Sequence, residues 1–215
     1  MLLRPEHRTK IDETEDDYFY SIPRFVTHVD DQFIQKLTNI YREKLQPNSR
    51  ILDLMSSWVS HLPDDLKFAH IEGHGMNEEE LQKNPRLDHY FIQNLNKNPQ
   101  LPLEDNSFDA VLITVSIQYL QYPEAVLAEI YRILKPNGIV IISFSNRMFY
   151  QKAITAWRDS QEASRVKLVE YYLKGIDGFS QPETITELSN LPNFLQMLGI
   201  SGSDPFYVVM ATKIS

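Results

Sequence analysis

The chain contains no cysteine, which excludes disulfides, thiolate metal sites and cysteine nucleophiles and fits a reducing, cytoplasmic setting. Glycine is nearly as scarce. Seven in 215 residues is about 3% against a usual ~7%, too few to hide a glycine-rich phosphate loop. No apolar run approaches the ~20 residues of a membrane helix, the longest lying near residues 138–144, and Arg4, Glu6, His7 and Arg8 interrupt any signal-peptide core. An excess of basic residues is missing too: 21 Lys and Arg against 29 Asp and Glu leave a net charge of −8. Such a surface repels phosphate backbones and anionic lipid, so neither nucleic acid nor membrane is expected as a partner. What is present, 42% hydrophobic and 23% charged residues, suffices for a sizeable core and excludes disordered and low-complexity classes.

Along the chain, a polar, acidic stretch (residues 11–17) ends in Tyr18, Phe19 and Tyr20, ahead of Pro23, Arg24 and Phe25. We read residues 1–25 as a cap segment anchored by its aromatics and residues 26–215 as one domain. Phe33, Ile34, Leu37, Ile40, Tyr41 and Leu45 recur at three and four residues after Asp30, which predicts a helix of about four turns, stopped by Pro47. Short apolar runs at 51–54, 68–71, 90–92, 108–115 and 139–144 predict five buried strands. Helical stretches separate most of them, one following the first strand and carrying His61. The best-defined helix starts at Pro123, buries Val126, Leu127, Ile130, Ile133 and Leu134, and ends at residues 135–138. Residues 148–157, 162–173 and 190–198 are expected to be helical and 206–210 a last strand. Repeated β-α-β order argues for an α/β domain with a parallel sheet and helices on both faces.

Two motifs then stand out: residues 101–109 (Leu-Pro-Leu-Glu-Asp-Asn-Ser-Phe-Asp) and residues 129–138 (Glu-Ile-Tyr-Arg-Ile-Leu-Lys-Pro-Asn-Gly). Their sequence and order resemble the class I S-adenosylmethionine-dependent methyltransferases of the small-molecule type, over roughly residues 49–145. Residues 53–61, 75–81 and 143–147 are similar to a little-characterised branch found in photosynthetic organisms. The resemblance implies a Rossmann-like fold with a seven-stranded, mostly parallel sheet whose last strand is antiparallel. It also implies S-adenosylmethionine as cofactor and a small-molecule substrate. A non-catalytic sensor or scaffold on the same fold is the competing class.

In such folds the ligand lies beyond the carboxyl ends of the first strands. By resemblance, the cofactor loop after the first strand carries glycines whose backbone NH groups, with a following helix N-terminus, receive the methionine part. Here Asp53 is followed by Met55, Ser57 and Val59 at those positions, with Ser56 and Ser60 beside them as caps or hydroxyl donors. The acid that would hold the ribose corresponds to Gly75, and the serine after it to Asn77, with Met76 between. Glu78, Glu79 or Glu80 is the alternative ribose acceptor, although three successive acids at a helix start are explained by the helix dipole without any ligand. Asn94 takes the adenine-contacting position, Leu95 packs on the ring, and Ser116 closes the cofactor set. Weak S-adenosylmethionine binding is therefore expected. His61, Ser116, Gln118, Tyr119, Asn146 and Arg147 fall just past strand ends and are the candidates for chemistry, Arg147 as the holder of an acidic substrate group. His70 and His74 lie about 13 Å apart along a strand, which excludes a shared metal ion.

Overall fold

A computed structural model describes residues 3–188 and 202–214. Seven strands form one sheet in the order β3-β2-β1-β4-β5-β7-β6. They are β1 (Arg50–Leu54), β2 (His70–Gly75), β3 (His89–Ile92), β4 (Phe108–Thr114), β5 (Leu134–Phe144), β6 (Glu183–Glu187) and β7 (Phe206–Thr212). The pairs β1–β2, β1–β4, β2–β3 and β4–β5 are parallel, and β7 runs antiparallel to both β5 and β6. The expected seven-stranded, mostly parallel sheet with an antiparallel last strand is what forms. Order reverses between β1 and β4, and a ligand crevice opens at such a reversal.

Strand alternation sorts the core into two layers. Leu52 and Leu54 of β1, Val111 and Ile113 of β4 and Val140 and Ile142 of β5 face one side. There they meet α4 (Pro123–Ile133) through Val126, Leu127, Ile130 and Ile133, and α6 (Glu162–Lys174) through Val166, Val169 and Leu173. Ile51, Ala110, Leu112 and Ile141 face the other side, against Phe33, Leu37 and Tyr41 of α2 (Asp31–Lys44). Three shorter helices complete the set: α1 (Asp16–Phe19), α3 (Glu78–Gln82) and α5 (Thr155–Arg158). The Asp30 carboxylate caps α2 by accepting from the Phe33 NH at 2.8 Å, as the acidic start implied.

Several expectations need correction. No helix follows β1: residues 55–69 cross to β2 as irregular chain, so His61 sits in a loop. Pro63 explains this, since a helix begun at the serines would have room for barely one turn before a ring that removes an NH and constrains its predecessor. The second strand is shifted towards its carboxyl end, to His70–Gly75, because its ladder with β1 runs from Arg50↔His70 to Asp53↔Gly73. Strand β5 begins at Leu134 rather than Ile139, since Leu134 pairs with Phe108 across a bulge. Residues 148–154 form turns, and only Thr155–Arg158 of the expected 148–157 helix is helical. The helix expected at 190–198 lies outside the described residues. Polar β6, with only Ile185 half-buried, carries too weak an apolar alternation to be read as a strand.

The cap segment is held less by its aromatics than by buried charge. Tyr18 is exposed, while Phe19 meets the Phe149 ring edge-on at 5.3 Å. Beneath them Lys152, fully buried, places its Nζ 3.3 Å from Asp12 and 3.5 Å from Asp16, and Lys10 donates to Asp16 at 2.6 Å. Lys152 and three charges of residues 10–16 thus tie the amino-terminal segment to the chain after β5.

Candidate functional site

A cavity of about 370 Å³ opens at the carboxyl ends of β1, β2, β3 and β4, roofed by residues of the cap segment. Asp53, Met55, Ser56, Ser57, Gly75, Met76, Asn77, Asn94, Leu95 and Ser116 all line it, as do His61, Tyr119 and Arg147. Asn146 is exposed and outside it, and Gln118 is buried behind it with its Oε1 lacking a protein partner. Asp53 and Asn94 share the cavity, although their strands are not neighbours, since β2 separates β1 from β3.

The loop after β1 closes down on the end of β2. Met55 enters it with a left-handed φ of 60°, its NH donating to Nδ1 of His74 at 3.1 Å, and the Ser56 NH donates to the His74 carbonyl at 2.6 Å. The other ring nitrogen, Nε2, lies 3.0 Å from the Gln93 carbonyl, so the Nε2–H tautomer satisfies both bonds. Burial depresses the His74 pKa to about 4, and the ring serves as a neutral staple between three loops. The serines tie the loop down instead of capping a helix: Ser56 donates to Asp53 at 2.6 Å, Ser57 to Glu80 at 2.6 Å, and Ser60 accepts from Asn84 at 2.8 Å.

This packing explains Gly75. A Cβ there would stand 2.7 Å from the Ser56 carbonyl oxygen, so no acid fits while the loop keeps this path. The carboxylate that does reach the cavity from this region is Glu80, in the first turn of α3, accepting from Ser57 and from the Arg24 NH at 2.6 Å. A helix-dipole role therefore understates Glu80, whereas Glu78 and Glu79 are exposed.

Other candidates are already engaged. Asn77 caps α3 by accepting from the Glu80 NH and donates to the Tyr20 and Ser21 carbonyls. Asn94 accepts from the Asn96 NH, as a turn residue does, and donates to Asp17 at 2.8 Å. Tyr119 accepts from the Phe149 NH at 2.8 Å, and burial pushes its phenol up to about 12, which makes it structural. Arg147 is paired with Asp204 at 2.8 Å and so is not a free anion holder.

Three groups are left with capacity. Asp53 is buried at the cavity floor, and desolvation raises its pKa to about 6 against the opposing hydroxyls of Ser56 and Ser60. His61, at a left-handed φ of 53°, is held neutral by burial with a pKa of about 4. Ser116 follows Val115, itself at φ 51°, and its buried hydroxyl has no protein partner. Residues 18–25 were expected to cover the substrate side, but Asp16, Tyr20 and Arg24 of the cap segment and His28 just after it, which line the cavity, were not singled out as site residues. The only signal was the unusual Pro23-Arg24-Phe25 following an aromatic cluster.

The described fold has known counterparts. Residues 70–142 match the family described as methyltransferase domain. A demethylmenaquinone methyltransferase of Clavibacter sepedonicus is 32% identical over 96 residues, 40% of this chain and 39% of that protein. The sterol 24-C-methyltransferase of Schizosaccharomyces pombe is 30% identical over 108 residues, 46% of this chain and 28% of that one. The chain thus spans about two fifths or less of the length of these relatives. Among solved structures, phosphoethanolamine N-methyltransferase 2 of Haemonchus contortus, with S-adenosyl-L-methionine bound, superposes at a TM-score of 0.58, with 16% identity over 84% of this chain and 52% of that one. The [4+2]-cyclase SpnF superposes equally well, at 0.58 with 17% identity over 83% and 81% of the two chains, so the fold by itself does not fix the reaction. Residues 70–142 thus carry the match to the methyltransferase-domain family, and the described sheet shares its fold with these solved structures.

Proposed function

We propose that this protein is an S-adenosylmethionine-dependent methyltransferase acting on a small molecule. The observation that carries the reading is the position of the cavity at the reversal of strand order, walled by the loop positions that the family uses for its donor. A volume of about 370 Å³ suits one drug-sized ligand. The residues fit the donor in part. Met76, Leu95 and Val115 offer apolar walls for a flat ring, and Asp53 with the free Ser116 hydroxyl offers acceptors for an ammonium. Glu80 is the carboxylate after β2 that lines the cavity.

Bound there, the cofactor would supply a methyl group on a sulfonium. The chain's own tasks are to align the acceptor and exclude water, which the cap segment does by roofing the cavity. His61, held neutral by burial, lines the cavity and can hydrogen-bond an acceptor heteroatom, while its lowered pKa makes it a weak base. The absence of cysteine and the charge of −8 support a cytoplasmic protein without affinity for nucleic acid, and no helix among the described residues is long and apolar enough to cross a membrane.

Titration calorimetry with S-adenosylmethionine tests the reading. A lost bidentate ribose acceptor costs about 1.5 to 3 kcal/mol, so binding roughly tenfold to a hundredfold weaker than an intact site is expected. No heat and no Tm shift at millimolar ligand would refute it. The second reading, a non-catalytic member of the superfamily, is favoured by the carbonyl of Ser56 standing where a ribose-binding acid would need its Cβ. It gains if the cofactor fails to bind.

A further inference from the structure

We propose that Arg24 is the carboxylate-binding group of the cavity, replacing the glycine loop and helix N-terminus that the fold otherwise uses after β1. Within the proposed methyltransferase reading, this names the element that receives an acidic ligand group.

Three observations converge on it. The start of the loop after β1 has no backbone donors left for an anion. The Met55 and Ser56 NH groups are both spent on His74, and residues 55–69 contain no helix whose N-terminus would leave further donors free. Arg24, half-buried, meanwhile lines the same cavity. Glu80 fixes its segment against that loop, because one carboxylate accepts both the Arg24 backbone NH and the Ser57 hydroxyl.

Its guanidinium is also uncompensated. Arg147 has Asp204, and Lys10 and Lys152 share Asp12 and Asp16. Among the described residues no carboxylate lies within ion-pair distance of the Arg24 side chain. It lies 4.4 Å from the Phe19 ring centroid and 5.4 Å from that of Phe149, with Nη2 donating to the Phe19 carbonyl at 2.9 Å and Nη1 to that of Ile22 at 3.3 Å. Aromatic faces and two carbonyls therefore hold the plane in place and leave three of its five N–H donors unused. A fixed guanidinium fork with free donors matches a carboxylate in bidentate geometry, and ordering it in advance lowers the entropy lost on binding.

A carboxylate can come from the amino-acid end of the donor or from the substrate, and the experiment separates the two. Wild type, Arg24→Met and Arg24→Lys are titrated with S-adenosylhomocysteine and with 5′-methylthioadenosine, which lacks the amino-acid end. Their Tm shifts with benzoate are compared with those from neutral benzamide. If the donor is the source, Arg24→Met weakens S-adenosylhomocysteine by about tenfold or more and leaves 5′-methylthioadenosine within about twofold. If the substrate is the source, both nucleosides are unaffected and the shift specific to benzoate disappears. Arg24→Lys, which keeps the charge without the fork, falls between, and it carries the test should the Met variant fail to fold.

The proposal is overturned if neither variant alters any ligand, if both nucleosides weaken equally, or if wild type responds neither to S-adenosylhomocysteine nor differentially to benzoate. Failure of the methyltransferase reading looks different: no nucleoside binds wild type, while the benzoate and benzamide pair still decides on Arg24.

Discussion

At the amino ends of the parallel strands the chain turns on asparagines: Asn48, Asn106 and Asn137 take left-handed φ values of 63°, 51° and 66°. Asparagine tolerates that region, and the charges there, such as the half-exposed Lys135–Asp109 pair at 2.8 Å, remain in contact with water. At the carboxyl ends the same backbone conformation falls on Met55, His61 and Val115, where a side chain, and above all a β-branched one, is strained. The charges there are buried too: Asp53 under the cavity, and Lys152, Lys10 and Asp16 behind its roof. One end is built for a cheap reversal of direction. The other carries strain and desolvated charge, the pattern expected where a ligand-binding surface constrains the chain.

The sharpest contrast between the ends lies in their lysines. Lys152→Met removes the fully buried cation between Asp12 and Asp16, leaving Asp16 only Lys10, and should cost about 3 kcal/mol in urea unfolding, the lower end for breaking a buried pair. Lys135→Met at the amino ends should cost less than about 1 kcal/mol. Equal losses would erase the distinction between a buried and a solvated set of charges.

Next in size is Asp53. Its folded pKa of about 6 exceeds the ordinary 3.8, so the protonated carboxyl favours folding at low pH, and that contribution is lost as pH rises through about 6. Asp53→Asn should therefore gain up to about 3 kcal/mol at pH 7, with the gain vanishing below pH 3.8. His74 and His61 act with the opposite sign. Their folded values near 4 lie below 6.5, so stability present above pH 6.5 is lost as pH falls through about 4. Urea midpoints of wild type and Asp53→Asn from pH 3.5 to 8 would show both trends, and a gain independent of pH would disprove the buried-acid account.

The smallest effect tests the backbone. At Met55 and Val115 the glycine variant should exceed the alanine variant by about 1 kcal/mol, reversing their usual order, because only alanine carries the Cβ that left-handed φ disfavours. At Asn137 the change to glycine should stay within a few tenths. Glycine variants weaker than alanine at both cavity positions would mean that the loops carry no such strain.

Much of this frame was legible in the residues. Alternating Ile, Leu and Val runs cannot bury both faces of a strand except under helices, and the spacing of Phe33, Leu37 and Tyr41 or of Val126, Ile130 and Ile133 leaves one helical face to do so. The run of positions after β1 that lacks glycine marked a loop of unusual path. Met55 in that loop takes a left-handed φ, and so does Val115 at the end of β4. The absent helix was hidden behind three serines that look like caps; Pro63 was the overlooked signal. Polar β6 was hidden for the opposite reason, since an edge strand needs few apolar residues to pair.

Sequence by itself therefore determined the alternation of strands and helices and the glycine-free loop after the first strand, which follow from local periodicity or from which side chain occupies a position. Tertiary structure alone decided which polar groups remain free. Asn94 and Asn77 are taken by the cap segment, Arg147 by Asp204, and Lys152 by acids about 140 residues earlier, while Arg24, Asp53 and Ser116 keep capacity. Hydrogen bonds and ion pairs form wherever the folded chain brings partners within about 3 Å, and such meetings between segments remote in sequence leave no trace in local pattern.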